Sequence, residues 1–373
     1  MPEVPQPGMN TGVIIEVRPT DFVAGGESGA VKRSLEGAGE YGPWLPDEES
    51  QLRFLIDVFA CVTFSALNDC ETVFNYYLAK GLFPAGLVSW FKLKGYIDPT
   101  TSKFNFADRF TAKKSGTTKN GNSLGAVGDS IRHHGLVPEK VWPWPANMTE
   151  SMTQDEKWDL YYAAVPQEAI DLGLEFVAKL KEYGFEIQYD WIVLQGITPN
   201  ASKAIKDNLV YGPMQIAAAV CSPWSSNEGM PPISACGCGT GHATLIYGDR
   251  VQSAPWRDFD HYKSFRKLLA WDYCIPYAMQ YTLREGVLPA PPAAFTYKFS
   301  YNLKFGDPKG GDVHKLQEAL QFLGYMKAGV FGPYGPATRT AVKKFQVASG
   351  INDDDGSNFG PRSRAAMNKK LNG

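Results

Sequence analysis

The feature that most constrains the fold of this chain is a stretch rich in proline and glycine. Gly286 to Ala294 reads Gly-Val-Leu-Pro-Ala-Pro-Pro-Ala-Ala, in which four of nine residues are glycine or proline. This composition favours a stiff, extended linker, because proline fixes its own backbone and lacks the amide hydrogen that helices and sheets use. The 373 residues are therefore predicted to fold as separate domains joined by a linker at 286–299.

Composition excludes several classes of protein. Hydrophobic residues make up 44% of the chain and charged residues 20%, which is ordinary for a globular protein. A net charge of −2 gives no basis for binding nucleic acid or an anionic membrane surface. The sequence has no run of about eighteen apolar residues, so no membrane span is expected. Met1 to Asn10 has neither a basic region nor an apolar core, so no secretory signal is predicted.

Two distant segments carry residues suited to nucleophilic catalysis. Cys61 opens a helix-competent run, and a thiol at a helix N-terminus faces the positive end of the helix dipole, which favours the reactive thiolate. His242 opens an alternating apolar run, Gly241 to Gly248, which predicts a strand. A buried structural cysteine is the alternative for Cys61, since free cysteines are often buried. As a pair, Cys61 and His242 predict a nucleophile and its base on opposite sides of a cleft.

The same segments carry a family resemblance. Cys61 to Ala66, Cys-Val-Thr-Phe-Ser-Ala, resembles the nucleophile segment Cys-Trp-Ala-Phe-Ser-Ala of papain-like cysteine peptidases. His242-Ala243 resembles the histidine strand of that family, and Tyr211 to Val220 is similar to its Gly-Pro strand, in the same order. The resemblance implies an α+β papain-like cysteine peptidase fold over 46–285, with a helical lobe and a β lobe. It also implies an extended lead-in at 1–45, a peptide substrate and no cofactor.

The resemblance departs from the family at two functional positions. Papain-like peptidases orient the histidine with the asparagine of an Asn-Ser-Trp-Gly motif, which is absent here. Asp260, eighteen positions after His242, is the candidate substitute and Asp258 the competing one, because a carboxylate can also accept the ring hydrogen. The family's oxyanion glutamine stands six residues before the nucleophile, where this chain has Leu55, and Gln51 is a weaker candidate. The sequence therefore leaves open that this chain is a variant of the family with lowered activity or none.

Further residues are assigned by the resemblance alone. The residues expected to contact substrate are Gly121, Asn122, Ser123 and Ala243. A plain turn is the alternative for the first three. Cys236 stands where relatives begin a disulfide, with Cys274 as a conceivable partner.

The spacing Cys236-Gly237-Cys238 is shorter than that of zinc-binding pairs, so no metal is expected.

Residues 300–373 show a different pattern. Val313, Leu316, Leu320 and Leu323 form one helical apolar stripe, and Ala341, Val342 and Phe345 form another, which predicts a small helical bundle. With Gly329 to Gly332 and Phe359-Gly360-Pro361, this tail resembles the peptidoglycan-binding domain 1 family, an all-α three-helix module. The resemblance implies peptidoglycan as a partner, bound by exposed loop groups, and a protein-docking bundle is the alternative. The candidate contacts are Tyr325, Tyr334, Thr338 and Arg339.

These patterns together predict a cysteine peptidase that acts at the bacterial cell wall. Cys61, His242 and Asp260 form the predicted triad, and the tail holds the enzyme on peptidoglycan. A phage lysin, released at lysis or carried by the virion, is the type of enzyme expected. The alternative is a virion-associated or wall-binding protein that keeps the papain fold without turnover.

Overall fold

The structure is a computed structural model that divides into two compact units, Met1–Leu288 and Pro289–Gly373. The described residues are 13–14, 31–35, 39–194, 200–219, 231–234, 241–249, 256–262, 265–286, 297–308, 311–323, 325–326, 333–351 and 358–372. Residues 287–296 of the predicted linker, Cys221, Cys236 and Cys238 lie outside these ranges. Cys274 is disulfide-bonded.

Both units contain helices and strands. Among the described residues, the helices are α1 Cys61–Ala79, α2 Ala85–Lys94, α3 Asp108–Lys114, α4 Leu124–His134, α5 Gln154–Tyr161, α6 Gln167–Glu182, α7 Asn200–Asn208, α8 Gly311–Phe322, α9 Pro336–Ala348 and α10 Pro361–Asn372. The strands are β1 Val13–Ile14, β2 Val31–Lys32, β3 Leu52–Arg53, β4 Ile56–Asp57, β5 Asn122–Ser123, β6 Phe185–Leu194, β7 Met214–Ala218, β8 His242–Asp249, β9 Trp256–Phe259, β10 Arg266–Leu269, β11 Tyr277–Glu285, β12 Leu303–Lys304 and β13 Asn358–Phe359. The predicted α+β class is confirmed.

Helix α1 is the centre of the first unit. Its residues are buried from Cys61 to Tyr77, although several of them are polar. Those polar side chains accept backbone hydrogen bonds: Asn75 from Phe104, and Asp69 from Tyr281 on β11, at 2.8 and 3.2 Å. Because buried amides need partners, these contacts fix α1 against both the helical part of the unit and the sheet.

The sheet of the first unit carries the histidine strand. The order is β10-β9-β8-β7-β11-β2, with β6 also paired to β11, giving seven strands among the described residues. The pairs β7–β8, β8–β9 and β9–β10 are antiparallel. This order places β8 between β7 and β9, so that residues from the three strands meet at one end of the sheet.

The second unit is a small bundle with a core of its own. Helices α8, α9 and α10 pack with the short β12–β13 pair around Leu316, Leu320, Val342 and Phe345. The predicted all-α three-helix class of the tail is confirmed, with the β12–β13 pair added. No helix among the described residues of either unit has the length and apolar character that crossing a membrane requires.

Candidate active site

Cys61 is the first residue of α1. Its side chain is buried, and its own carbonyl accepts a hydrogen bond from Ser65 Oγ at 2.7 Å. The amide nitrogen of Gln215, on β7, donates to the carbonyl of Val62 at 2.7 Å and lies 2.8 Å from Ser65 Oγ. These bonds hold the first turn of the nucleophile helix against the sheet, so its position is set by long-range packing.

His242 is the first residue of β8, paired with Ala218 on β7, and is 1% exposed. The next residue, Ala243, forms a backbone hydrogen bond to the side chain of Cys61 that favours the thiolate. The fold therefore brings the start of the histidine strand onto the start of the cysteine helix. The two segments that the sequence predicts to form one site lie together.

Asp260 follows β9 and contacts His242 directly. Its Oδ1 lies 2.7 Å from Nε2 of His242 and also accepts the backbone N–H of His261 at 2.7 Å. Asp258, the competing candidate, accepts a hydrogen bond from Thr244 at 2.9 Å instead. The structure thus places Asp260, and not Asp258, against the imidazole.

Two neighbours of Asp260 went unpredicted. Lys267 on β10 is fully buried, and its Nζ lies 2.5 Å from the second oxygen of Asp260. His261, also fully buried, stacks on Phe64 at 5.3 Å between ring centroids, and neither of its ring nitrogens has a hydrogen-bond partner among the described residues. The sequence around Lys267, Arg-Lys-Leu-Leu from 266 to 269, has no alternation of apolar and polar residues that would mark this lysine as buried.

The electrostatics of the site depend on burial. Burial raises the pKa of the Cys61 thiol, with further increases from Asp57 and Asp260, whereas the Ala243 hydrogen bond lowers it. Burial therefore opposes the thiolate that the helix terminus favours. Burial also opposes ionisation of Asp260, but the charges of His242 and Lys267 together hold its pKa well below the usual value.

A metal is a poor occupant of this site. His242, Asp260 and His261 could each offer one ligand atom, and these atoms lie within 4.8 Å of one another. However, the ammonium of Lys267 bonds the same carboxylate and would repel a divalent cation, and the Asp260–His242 hydrogen bond would have to break. The donor set therefore suits proton transfer better than metal binding.

Leu55, which stands at the family's oxyanion position, and Gln51, the weaker candidate, lie in or next to the hairpin before α1. Leu55 forms the tip of β3–β4, has a φ of 59° and is 51% exposed, so it does not point into the protein. The buried Gln51 donates its amide hydrogen to Asp57 at 3.0 Å, and its backbone N–H bonds the carbonyl of His261 at 3.1 Å. Gln51 therefore borders the site, but in this conformation a donor of its amide is occupied by Asp57.

The predicted substrate strand already has a partner. Asn122 and Ser123 form β5, which pairs in parallel with Val13–Ile14. The Asn122 side chain donates to Ser115 and Thr117, and Ser123 caps α4 by accepting the N–H of Ala126, whereas Gly121 has a φ of 89° in the preceding turn. One backbone edge of Asn122 and Ser123 is therefore already paired with Val13–Ile14.

Two of the four candidate peptidoglycan contacts are not exposed. Tyr334 is fully buried in the core of the second unit, and Thr338 is buried and accepts a hydrogen bond from Gln317 at 2.9 Å. These two predictions of exposed loop groups are wrong, because both side chains are used to pack or connect helices. Arg339 is exposed over the ring of Phe305, and Tyr325 is half-buried.

Stability of the first unit is expected to fall as pH rises from about 5 to about 8. Burial raises the pKa of Glu49 to about 7, of Asp57 to about 6 and of Glu139 to about 10. The folded state then holds protons that the unfolded chain, with ordinary carboxyl pKa values, has released, so stability is lost as pH passes the folded values. Asp260 and His261 have the opposite sign: Asp260 titrates below this window, and His261, whose pKa burial lowers to about 3, offsets part of the slope up to about pH 6.5.

Thermal unfolding at constant ionic strength measures this slope. Glu49→Gln should flatten the slope, whereas Glu182→Gln, at an exposed helix end, should leave it unchanged. A melting temperature of the first unit that is constant or rises from about pH 5 to about pH 8 would contradict the prediction.

The comparisons match the two units to different known proteins. Residues 309–367 match the family model described as "Putative peptidoglycan binding domain". The first unit is similar to solved cysteine proteases. Procathepsin L2 from Tenebrio molitor larval midgut is 11% identical, with 74% of this chain and 78% of that chain covered and a TM-score of 0.44. The bromelain protease from Ananas comosus, solved with the E64 inhibitor, is 11% identical, with 64% and 94% covered and a TM-score of 0.38.

A third similar structure is the proform of the ragweed pollen cysteine protease Amb a 11. It is 12% identical, with 69% of this chain and 68% of that chain covered and a TM-score of 0.40. No curated protein matches the chain.

Proposed function

We propose that the chain is a cell-wall-associated cysteine peptidase with Cys61 as nucleophile, His242 as base and Asp260 as the residue that orients the imidazole. The observation that carries the proposal is the contact between Nε2 of His242 and Asp260 at 2.7 Å, on a strand whose next residue bonds the Cys61 side chain. A nucleophile, a base and a group that orients the base are the parts that acyl transfer requires.

The geometry supports a defined order of proton transfers. Nε2 of His242 donates to Asp260, so Nδ1 exchanges the proton with Cys61. Since burial favours the thiol, His242 is expected to take the proton as the sulfur attacks the peptide carbonyl carbon. The imidazolium then gives that proton to the leaving amine as the C–N bond breaks, which leaves a thioester. Water activated by His242 hydrolyses the thioester to a carboxylic acid and restores the thiol.

The substrate that we propose is the peptide part of peptidoglycan, a stem peptide or a cross-bridge. The support is the second unit, whose family model is described as peptidoglycan-binding. A tethered wall-binding module raises the effective concentration of the catalytic unit at its substrate. This combination is the one a phage lysin or a virion-carried lytic enzyme would need.

A wall-binding protein without turnover is the second candidate. It is favoured by Leu55 at the exposed hairpin tip, where the family has its oxyanion glutamine, and by the buried thiol of Cys61. The two candidates share the second unit and differ in whether the first unit cleaves peptides.

Activity on whole cell wall is expected to depend on the second unit. A chain ending at Leu288 keeps the described core of the first unit and should cleave soluble wall peptides at the rate of the intact chain. On insoluble peptidoglycan its rate should fall about 10²-fold or more, since the tethering effect is lost. Release of new amino termini, identified by mass spectrometry, measures both rates.

Comparison of the intact chain with the shortened chain separates the two candidate functions. Equal rates on insoluble wall would remove targeting by the second unit from the proposal. Wall binding by the intact chain without cleavage of either substrate would establish the second candidate instead.

A further inference from the structure

We propose that Lys267 is a positioning residue of the site, whose ammonium holds Asp260 against His242 and offsets its negative charge. An aspartate can then serve where papain-like peptidases have a neutral asparagine. This inference rests on the proposed function of Cys61 and His242. It concerns a buried lysine that the triad itself does not require.

The first line of support is the use of both oxygens of Asp260. Oδ1 accepts from His242 and from the backbone of His261, each at 2.7 Å, and Oδ2 lies 2.5 Å from Nζ of Lys267. A carboxylate held at both ends cannot rotate without breaking an ion pair in a buried place. Lys267 therefore fixes the plane of Asp260 and, through it, the orientation of the imidazole.

The second line of support is the charge balance of a closed site. Cys61, Asp260 and Lys267 are fully buried and His242 is 1% exposed, so an uncompensated charge there is costly. When the proton moves from Cys61 to His242, the thiolate and imidazolium cancel, and Asp260 and Lys267 cancel as well. Without Lys267, one negative charge would remain beside the developing thiolate.

The surrounding groups do not supply that compensation. Asp258 on β9 faces Lys267 at 4.0 Å, and burial raises its pKa to about 8, so it is mainly protonated near neutral pH. Burial lowers the pKa of His261 to about 3, which leaves it neutral. Asp57, on β4, is a further acid whose charge raises the pKa of Cys61. Among the described groups that face Asp260, the Lys267 ammonium is thus the group that offsets its charge.

The test compares single and double variants that change the charge but little of the shape. In Lys267→Met, alkylation of Cys61 by iodoacetamide near neutral pH should slow about tenfold, with its pH profile moved up by about one unit. Asp260→Asn alone removes a charge that raises the pKa of Cys61 and leaves the Lys267 ammonium in place, so it should speed the reaction and move the pH profile down. The double variant Lys267→Met/Asp260→Asn has a neutral amide, as in the family, and should recover to within about threefold of the wild type.

Peptide mapping restricts the alkylation readout to Cys61, since Cys70 is also a free cysteine. A matched control is the buried ion pair between Arg284 and Asp190, at 2.6 Å on β11 and β6. Arg284→Met/Asp190→Asn also removes a buried ion pair, so it shows the effect of that loss on stability alone. It should leave the pH profile of Cys61 alkylation unchanged.

The outcomes separate this inference from the proposed function. A Cys61 profile unchanged in Lys267→Met, or a double variant no faster than the slower single one, overturns the role of Lys267. A second outcome is that the pH profile of Cys61 alkylation changes in Lys267→Met although the wild-type chain cleaves no peptide. That result supports the role of Lys267 and overturns only the proposed peptidase activity. No alkylation of Cys61 in any variant overturns both.

Discussion

Replacing Cys61 with alanine is expected to reduce cleavage of wall peptides by about 10⁴-fold or more. The side chain lies at the first turn of α1, bonded to the backbone of Ala243. Alanine removes the sulfur that forms the thioester and leaves the helix and its hydrogen bond to Gln215 in place. His242→Ala should cost a similar factor, and the double variant little more, because the two residues act as a unit.

A second cysteine on the same helix provides the control. Cys70 is free and buried like Cys61, but it lies more than two turns along α1. Cys70→Ala should keep turnover close to that of the wild type, measured as new amino termini per unit time. If Cys61→Ala retained more than about one tenth of the wild-type rate, another residue would have to be the nucleophile.

Phe74→Ala is expected to destabilise the first unit by about 3–5 kcal/mol. Phe74 is 1% exposed, and its ring lies 5.1 to 6.1 Å from five other rings between centroids. The neighbouring rings belong to Phe83, Phe91, Phe104, Phe106 and Phe176. Truncation leaves a cavity that this cluster can fill only in part, and the same helix carries Cys61, so activity should be lost at lower temperature.

The test is thermal or denaturant unfolding of the intact chain, with separate probes for the two units. Leu93→Ala removes a large apolar side chain that is 80% exposed and should change stability by less than about 0.5 kcal/mol. The transition of the second unit, which has its own core, should be unchanged by Phe74→Ala. A loss below about 1 kcal/mol would show that Phe74 is not central to packing.

The elements that carry the site were predictable because their signals are local. A helix beginning at Cys61 and a strand beginning at His242 follow from the order of apolar residues, and the structure has both at those residues. The strand predicted within Tyr211 to Val220 is β7, Met214–Ala218.

The electrostatics of the site were not predictable from those patterns. Whether Cys61 is a thiolate depends on how deeply α1 is buried, and that depends on strands far along the chain. From the sequence alone Lys267 would be expected at the surface. The pairing of β10 with β9 instead places it beside Asp260. Leu55 occupies the aligned oxyanion position in sequence, but the β3–β4 hairpin places it at an exposed tip.

Ligand contacts in the second unit illustrate the same limit. Tyr334 and Thr338 belong to polar or aromatic types that often bind ligands, but burial is set by how three helices meet. Amphipathic spacing predicted the core residues Leu316, Leu320 and Phe345 correctly. It could not show which tyrosine completes that core.

The most direct test of the central claim is labelling with a thiol-reactive, peptide-like epoxide, with the labelled residue identified by mass spectrometry. An activated nucleophile predicts labelling at Cys61 in the wild type, none at Cys70, and a large decrease in His242→Ala with the fold intact. Labelling of Cys61 that is unchanged by loss of His242, or no labelling in a folded wild-type chain, would contradict a Cys61–His242 catalytic pair.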